Sequence, residues 1–296
     1  MSAPGGIPLA TAVADLRRAG LLADVLTGSA TGLATSPEPP EGASFAGAGL
    51  DSRRLAPGQL FVALRGENVD GRVFAAGAVA AGHWVLTREW DGDGAEPLVG
   101  SPAPASAGVL LSRDPDAALA ALAAAYRRRL TALTVVGITG TNGKTTTKDF
   151  VRAALAGAGP VTATAGNLNN RLGVPLTLLG LDAGLRFAVI EMGASAVGDI
   201  ARLAGLARPE VGIITNASPA HLAEFGSLDG IIQGKGELLD ALPPDGIAVL
   251  NADSPGFDRW LARARCPVVS VGRHGGDHRW TWRAGEADGP AELVLD

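Results

Sequence analysis

A glycine-rich turn followed by one lysine and three threonines is the segment with the clearest chemical use. Gly140 and Gly143 allow backbone amides to curl around an anion without a Cβ in the way. Lys144 can reach the outer phosphates of a nucleotide, and Thr145 can offer its hydroxyl to Mg²⁺. The predicted phosphate-contacting residues are Gly140, Thr141, Asn142, Gly143, Lys144, Thr145 and Thr146.

This loop departs from the general pattern G-x-x-x-x-G-K-[ST] at one position, where Ile138 replaces the first glycine. The alternative interpretation is a glycine-rich turn with a surface lysine. A strand-like run before the loop and a helical pattern after it favour the phosphate-binding interpretation, because the positive end of the helix points at the anion. The apolar positions of that helix, at the spacing of a buried stripe, are Phe150, Val151, Ala154 and Leu155.

Three further side chains have types and positions that could do chemistry. Glu191 ends an apolar run, where a carboxylate can hold Mg²⁺, although a capping or solvent-facing glutamate has the same pattern. His221 follows the next apolar run and is interpreted as an active-site residue, with a structural histidine as the alternative. Lys235 lies between two glycines in a predicted helix, 228–242, and the glycines indicate close approach to another group. A surface lysine is the alternative.

A polar loop between these elements carries three asparagines. Their carboxamides could bind substrate or phosphate, and the alternative is an asparagine-rich turn. The residues concerned are Asn167, Asn169 and Asn170.

A regular framework must position these residues, and from Thr134 onward strand and helix patterns alternate. This alternation predicts a mostly parallel α/β sheet, in which ligands bind at the carboxyl ends of the strands. Polar residues follow each of the first four strands, which indicates a single nucleotide site. The predicted strands are 134–139, 187–191, 211–215, 247–250 and 268–271.

The N-terminal part predicts a second, smaller α/β domain. Its first 35 residues give a weak helical pattern, and 91–108 has the composition of a loop. A length of 296 residues accommodates two domains, predicted as 1–113 and 114–296. The other predicted elements are a strand at 60–64, a helix at 74–81, a strand at 84–86 and a helix at 116–130.

Composition excludes several classes of function. The net charge of −5 argues against a nucleic-acid-binding surface. No apolar run approaches the roughly 18 residues needed to span a bilayer, and residues 1–6 lack a signal-peptide pattern. The single cysteine, Cys266, excludes an internal disulfide and fits a reducing compartment. A cytoplasmic protein that is not membrane-embedded is therefore expected.

Taken together, several motifs resemble the Mur ligases, the ATP-dependent amide-forming enzymes of peptidoglycan synthesis. An N-terminal segment, Asp51-Ser52-Arg53, resembles the UDP-sugar-recognising domain that some members share. The motifs that occur in the family's order and spacing are Thr139–Thr146, Asn167–Asn170, Glu191-Met-Gly-Ala, Ala220-His221-Leu and Gly234-Lys-Gly-Glu237.

The resemblance implies ATP and two Mg²⁺ ions as cofactors. It implies that Thr145 and Glu191 hold the first ion, that His221 helps hold the second, and that Lys235 is a carbamylated metal ligand with room for the adduct beside its glycines. Catalytic roles are thereby implied for Lys144, Glu191, His221 and Lys235, and contact with the UDP end of a substrate is implied for Asp51, Ser52 and Arg53.

Local features resemble the member that joins D-alanyl-D-alanine to UDP-N-acetylmuramoyl-tripeptide, a step of cell wall biogenesis on which cell shape and division depend. The sequence Glu191-Met-Gly-Ala-Ser195 differs from the Glu-Val-Ser-Ser-His of the member that adds the third amino acid. Arg72 stands where the family usually has histidine, with little effect expected. Family members usually carry a third, C-terminal domain, which this sequence is expected to lack. A separate C-terminal domain, a non-catalytic or split-enzyme fragment, and the ligase for the third residue stay as alternatives.

Overall fold

The chain divides into two compact units. The first contains the described residues of Met1–Thr131 together with Pro175–Ala183, and the second contains those of Ala132–Val174 and Gly184–Asp296. The predicted boundary at 113/114 differs from this division in two segments. A helix at 115–129 packs within the first unit, and Pro175–Ala183 also belongs to that unit. The computed structural model describes residues 6–29, 32–66, 69–88, 104, 106–219, 225–283 and 292–295.

The first unit is built on a six-stranded mixed sheet with three α-helices. It also contains two 3₁₀ turns, Ser52–Arg54 and Gly71–Phe74. The strands of this sheet are β2 (Asp24–Ser29), β3 (Gly32–Thr35), β5 (Ala48–Gly49), β6 (Leu60–Val62), β7 (Trp84–Thr87) and β8 (Gly108–Leu111). Two short strands, β1 (Ile7–Pro8) and β4 (Ser44–Phe45), form a separate antiparallel pair. The helices are α1 (Leu9–Arg18), α2 (Ala75–Ala80) and α3 (Pro115–Arg129).

Strand order in this sheet is β3-β2-β8-β7-β6-β5, with β5 to β8 parallel and β2 and β3 antiparallel. Phe61, Val85 and Val109 are fully buried and form its core with α2. The weak helical pattern of the first 35 residues is right only for α1. It is wrong for β2 and β3, where Val25 is buried and the backbone of β2 pairs with β8.

Two outcomes concern the predicted loop at 91–108. Residues 91–103 lie outside the described residues. Gly108, at its end, begins β8 instead of ending a loop, because this strand completes the apolar core between β7 and β2.

The second unit is an eight-stranded sheet in the order β10-β11-β9-β12-β13-β14-β15-β16, parallel except for its last pair. This confirms the predicted mostly parallel α/β sheet. The strands are β9 (Thr134–Thr139), β10 (Val161–Ala163), β11 (Phe187–Glu191), β12 (Val211–Ile214), β13 (Ile247–Asn251), β14 (Val268–Gly272), β15 (His278–Arg283) and β16 (Glu292–Leu295). The helices are α4 (Lys144–Leu155), α6 (Asp199–Ala207), α7 (Leu228–Asp240) and α8 (Phe257–Arg263). A further helix, α5 (Gly173–Leu179), begins in this unit and belongs to the first unit from Pro175 onward.

The topology places β9 between β11 and β12, so the ends of three strands meet at one edge. In the parallel register Glu191 lies opposite Ile138, and Ile214 lies opposite Thr139. Residues that follow these strands therefore converge where α4 begins. Among the described residues, no helix is long and apolar enough to cross a bilayer.

The buried face of α4 differs from the predicted stripe. Phe150 is 72% exposed, and Ala154 is also exposed. Val151 and Leu155 pack on the sheet, and Lys148 is the fully buried residue of the helix. The face against the sheet thus runs through Lys148, Val151 and Leu155, at the spacing i, i+3, i+7. The aliphatic stem of a lysine occupies a position that the sequence pattern reserves for an apolar residue.

Candidate active site

The glycine-rich turn between β9 and α4 has a backbone shape that only glycine allows. Gly140 has φ +146°, and a Cβ there would lie 1.9 Å from the Thr215 hydroxyl oxygen. Gly143 has φ +79° and caps α4. The end of β12 fixes the turn from the side, because the Asn142 amide donates to Asn216 Oδ1 at 3.0 Å. The turn is therefore rigidly held with the N-terminus of α4 at its base, a site suited to an anion.

Lys144 lies at the first position of α4 and folds back over this turn. Its Nζ donates to the Gly140 and Thr141 carbonyls at 2.9 and 3.0 Å. Burial lowers the pKa of Lys144, and the Glu191 carboxylate acts in the opposite direction. The cation is positioned over the amides that would surround a phosphate.

Glu191 is the last residue of β11, and the strand places it beside the glycine-rich turn. Its carboxylate accepts hydrogen bonds from the Thr145 hydroxyl at 2.9 Å and from Asn169 Nδ2 at 2.7 Å, and it is 2% exposed. Its backbone amide donates to Thr164 Oγ1 at 2.9 Å, which fixes the strand end. The neighbouring hydroxyl and carboxylate oxygens are the hard ligands that Mg²⁺ prefers. The described residues contain no group of three or more His, Cys, Asp or Glu gathered as a metal site. Mg²⁺ sites commonly use one or two carboxylates with substrate phosphates and water, so this pair fits that ion.

Lys235 faces the same region from α7. It is 4% exposed, and its Nζ lies 5.2 Å from the centre of the Phe225 ring. Burial lowers the pKa of Lys235 to about 8, helped by Lys144 and opposed by Asp199 and Glu237. A large fraction of this amine is therefore neutral near pH 8, as a nucleophilic amine requires.

The two glycines beside Lys235 make room for neighbouring aromatic rings. They do not provide the free space that was expected for an adduct on the lysine. A Cβ on Gly234 would lie 2.8 Å from Phe225 Cε1, and a Cβ on Gly236 would lie 3.0 Å from Trp260 Cδ1. Trp260 is 1% exposed and donates to the Ile232 carbonyl at 2.9 Å. The glycines let α7 approach these rings closely.

Replacing Gly234 with alanine is expected to destabilise the protein by ~1–3 kcal/mol, because the new methyl group overpacks against Phe225. Gly205, inside α6, is the matched control: a Cβ there meets nothing within 4 Å. Gly205→Ala should stabilise the protein by up to ~1 kcal/mol through helix propensity. Urea unfolding of both variants measures the difference. Equal effects of the two substitutions would contradict close packing at Gly234.

Gly140, Lys144 and Lys235 line a cavity of about 660 Å³ that lies within the second unit. Thr145 and Glu191 are not among its lining residues, but Asn169, which bonds to Glu191, is. Sequence reasoning missed Ser195, Asp199, Arg202 and Phe225 in its lining. The available signal for the first two was that they are the only polar residues in the small, apolar stretch that follows Glu191. The lining residues are Gly140, Thr141, Lys144, Asn169, Asn170, Arg171, Leu172, Gly193, Ala194, Ser195, Asp199, Arg202, Leu203, Phe225, Ile231 and Lys235.

The asparagine loop divides between the two interpretations. Asn169 lines the cavity and binds Glu191. Asn170 also lines it, but its Oδ1 accepts from the Leu172 and Gly173 amides, as in an asparagine-stabilised turn. Asn167 is not among the cavity-lining residues, and its carbonyl accepts from the Asn169 amide.

Two predicted groups of site residues are not part of the described cavity. His221 lies outside the described residues. Asp51, Ser52 and Arg53 belong to the first unit, where Asp51 caps the 3₁₀ turn and its carboxylate binds the Arg53 guanidinium at 2.9 Å. This ion pair lowers the pKa of Asp51 to about 2. It also presents the exposed Arg53 side chain in a fixed place.

Two of the three lysines of this chain line the cavity. Of its 25 basic residues only three are lysines, Lys144, Lys148 and Lys235, and all lie in the second unit. All other basic residues are arginines, and two of them, Arg171 and Arg202, also line the cavity. Lysine differs from arginine in being a compact charge that can also lose its proton. The chemistry of these positions therefore distinguishes them from the rest of the chain.

Comparisons with known proteins cover both units. A model described as the Mur ligase middle domain matches residues 138–289, and a model described as the Mur ligase family catalytic domain matches residues 44–127. Curated relatives include the UDP-N-acetylmuramoyl-tripeptide–D-alanyl-D-alanine ligases of Escherichia coli (strain K12), 42% identical over 71% of this chain, and Mycobacterium bovis, 42% identical over 78%. The chain spans 44% and 47% of the lengths of these two relatives.

A solved structure gives the same result at the level of the fold. The MurF ligase of Thermotoga maritima in complex with ADP is 30% identical, with a TM-score of 0.71 over 84% of this chain and 55% of that one.

Proposed function

This chain belongs to the Mur ligase family, and we propose that it forms the substrate-activating part of an ATP-dependent ligase that joins D-alanyl-D-alanine to UDP-N-acetylmuramoyl-tripeptide. The observation that carries the proposal is the contact between the Thr145 hydroxyl and the Glu191 carboxylate beside the phosphate-type loop. The relatives named for this reaction support the choice of substrates. A role in cytoplasmic peptidoglycan synthesis follows from those substrates, and the single cysteine fits a reducing compartment.

The proposed reaction has two steps. An oxygen of the terminal carboxylate of the tripeptide attacks the γ-phosphorus of ATP, and the bond from that phosphorus to the β–γ bridging oxygen breaks as ADP leaves. The amine of D-alanyl-D-alanine then attacks the acyl phosphate carbon. The amide forms, the amine loses a proton, and inorganic phosphate leaves with one oxygen of the original carboxylate.

Both steps bring anions together, so positive charge and oriented donors must offset the repulsion. Lys144 and the amides of the loop supply them at the β- and γ-phosphates. Thr145 and Glu191 would hold one Mg²⁺, which when bound neutralises charge on the phosphates. His221 and a carbamylated Lys235 complete the proposed second metal site. This assignment for Lys235 is supported by its burial and its lowered pKa.

The first unit is proposed to bind the UDP end of the substrate through Asp51, Ser52 and Arg53. The Asp51 carboxylate restrains the Arg53 guanidinium, and a guanidinium held in this way is suited to bidentate binding of phosphate oxygens. Ser52 adds a hydroxyl donor in the same turn.

Two alternatives are separated by one assay. The first is a non-catalytic or split-enzyme fragment that binds nucleotide or UDP-sugar, and the second is the ligase that adds the third amino acid. The protein is incubated with ATP, Mg²⁺, the UDP-tripeptide and D-alanyl-D-alanine, and the product is identified by its mass in mass spectrometry. A parallel reaction offers UDP-muramoyl-dipeptide with diaminopimelate or lysine, which tests the ligase for the third residue. Product only in the first reaction is expected, and nucleotide binding without product in either one favours the fragment.

Carbamylation of Lys235 should be visible by ¹³C NMR with ¹³C-bicarbonate at pH 8. A pKa of about 8 leaves about half of this amine neutral at that pH, against about 0.3% for an ordinary lysine. Because the neutral form is the reactive one, the signal should rise as the pH passes upward through 8. It should disappear in Lys235→Ala and persist in Lys148→Arg. A signal that survives in Lys235→Ala contradicts the assignment.

A further inference from the structure

Glu237 is a buried carboxylate to which the proposed reaction gives no role. It lies on α7, two residues after Lys235, and is 6% exposed. Its Oε1 accepts from the Gly198 amide at 2.6 Å, and its Oε2 accepts from the Ala201 amide at 2.9 Å. Both amides belong to the start of α6, so one side chain joins two helices.

The interaction is strong for physical reasons. Burying a carboxylate is costly unless its oxygens are hydrogen-bonded, and here each oxygen has a backbone donor. The N-terminus of α6 adds a favourable dipole. A serine or asparagine cap within α6 would satisfy an amide without burying a charge. A glutamate from another helix provides an additional effect, a fixed spacing between α6 and α7.

The start of α6 forms one wall of the cavity. Ser195, Asp199 and Arg202 all line it, and Asp199 Oδ2 accepts from the Ser195 amide at 2.8 Å. Within the part of the chain that the structure describes, the Arg202 guanidinium makes no hydrogen bond or ion pair. The place of this cation in the cavity therefore depends on the backbone of α6.

We propose that Glu237 is a positioning residue, whose carboxylate holds the first turn of α6 against α7 and thereby sets Ser195 and Arg202 at a fixed separation from Lys235. The catalytic consequence rests on the proposed function, whereas the structural consequence does not. Nucleotide binding is proposed to depend on the loop before α4. The Glu237 carboxylate bonds to Gly198 and Ala201 and not to that loop, so nucleotide binding is expected to be independent of Glu237.

The test compares Glu237→Gln with Asp114→Ala. Glutamine keeps the shape of the side chain, but its NH₂ group must face one of the two backbone N–H donors, so a bond is lost. Asp114 caps α3 in the first unit, where its carboxylate accepts from the Ala117 amide at 2.9 Å. The control thus also loses a helix-capping carboxylate, away from the cavity lining.

In Glu237→Gln, kcat for amide formation is expected to fall by about 10–100-fold, while the Kd for a fluorescent ATP analogue stays within about threefold of wild type. Hydrogen exchange should become faster in 193–202 and stay unchanged in 144–155. Asp114→Ala should lower stability with kcat unchanged. A kcat loss no larger than that of Asp114→Ala, or a parallel loss of nucleotide affinity, would overturn the proposal.

Failure of the proposed function gives a different pattern. If the wild-type protein forms no amide, hydrogen exchange decides alone. Faster exchange confined to 193–202 supports the positioning role, and unchanged exchange there overturns it.

Discussion

Lys144→Ala is expected to reduce ATP-dependent phosphate release by about 10³-fold or more while the fold survives. The amine is the cation that the structure places over the loop amides, 2.9 Å from the Gly140 carbonyl. Removing it leaves the charge that develops on the γ-phosphate without its nearest positive partner. Losses of this order follow when a preorganised donor or cation is removed from a transition state. Phosphate release under saturating substrates measures the effect.

Arg152→Ala is the control on the same helix. Arg152 is an exposed cation in the last turn of α4, so its removal changes net charge equally and should leave the rate close to wild type. Circular dichroism and the unfolding midpoint of Lys144→Ala should stay near wild-type values. Unchanged phosphate release in Lys144→Ala would rule out the phosphate-loop assignment.

Glu191→Gln is expected to reduce the rate by about 10²–10³-fold and to remove the Mg²⁺-dependent part of nucleotide affinity. Glutamine has the same shape and can still contact Thr145, but it carries no charge to hold a divalent cation. The predicted signature is a large rise in the Mg²⁺ concentration needed for half-maximal activity. Titration of Mg²⁺ at fixed ATP measures it.

The matched carboxylate is Glu210, which lies at the amino-terminal ends of the strands of the same sheet. Its Oε2 accepts from the Val135 amide at 2.6 Å, at the beginning of β9. Glu210→Gln should lower stability without changing the Mg²⁺ requirement. If both variants show the same Mg²⁺ dependence, Glu191 does not hold the ion.

The sequence predicts the second unit well because its signals are local. Thr134–Thr139 and Phe187–Glu191 are strands with the predicted bounds, since continuous apolar runs bounded by polar residues are typical of buried parallel strands. The convergence of Glu191 on the loop also follows from the rule that ligands bind at the carboxyl ends of parallel strands. Local spacing and one topological rule were enough for this half of the site.

What the sequence could not predict depends on tertiary contacts. The glycines beside Lys235 indicated close approach, but only the fold shows that Phe225 and Trp260 are the approaching groups. The buried face of α4 passes through Lys148 instead of Phe150. Contacts with the sheet decide which face of this helix is buried, and the spacing of its apolar residues does not identify that face. The sequence identifies Glu237 as part of a motif but assigns it no role, because its hydrogen-bond partners lie 36–39 residues earlier in the chain.

The central claim is that the tripeptide carboxylate is activated by transfer of the γ-phosphoryl group of ATP. The most direct test uses UDP-N-acetylmuramoyl-tripeptide with ¹⁸O at both oxygens of its terminal carboxylate, together with ATP, Mg²⁺ and D-alanyl-D-alanine. Mass spectrometry of the released phosphate should show one ¹⁸O atom for each amide formed, because the acyl phosphate leaves its bridging oxygen on phosphorus. Amide formation with unlabelled phosphate, or phosphate release with no amide, would contradict the account.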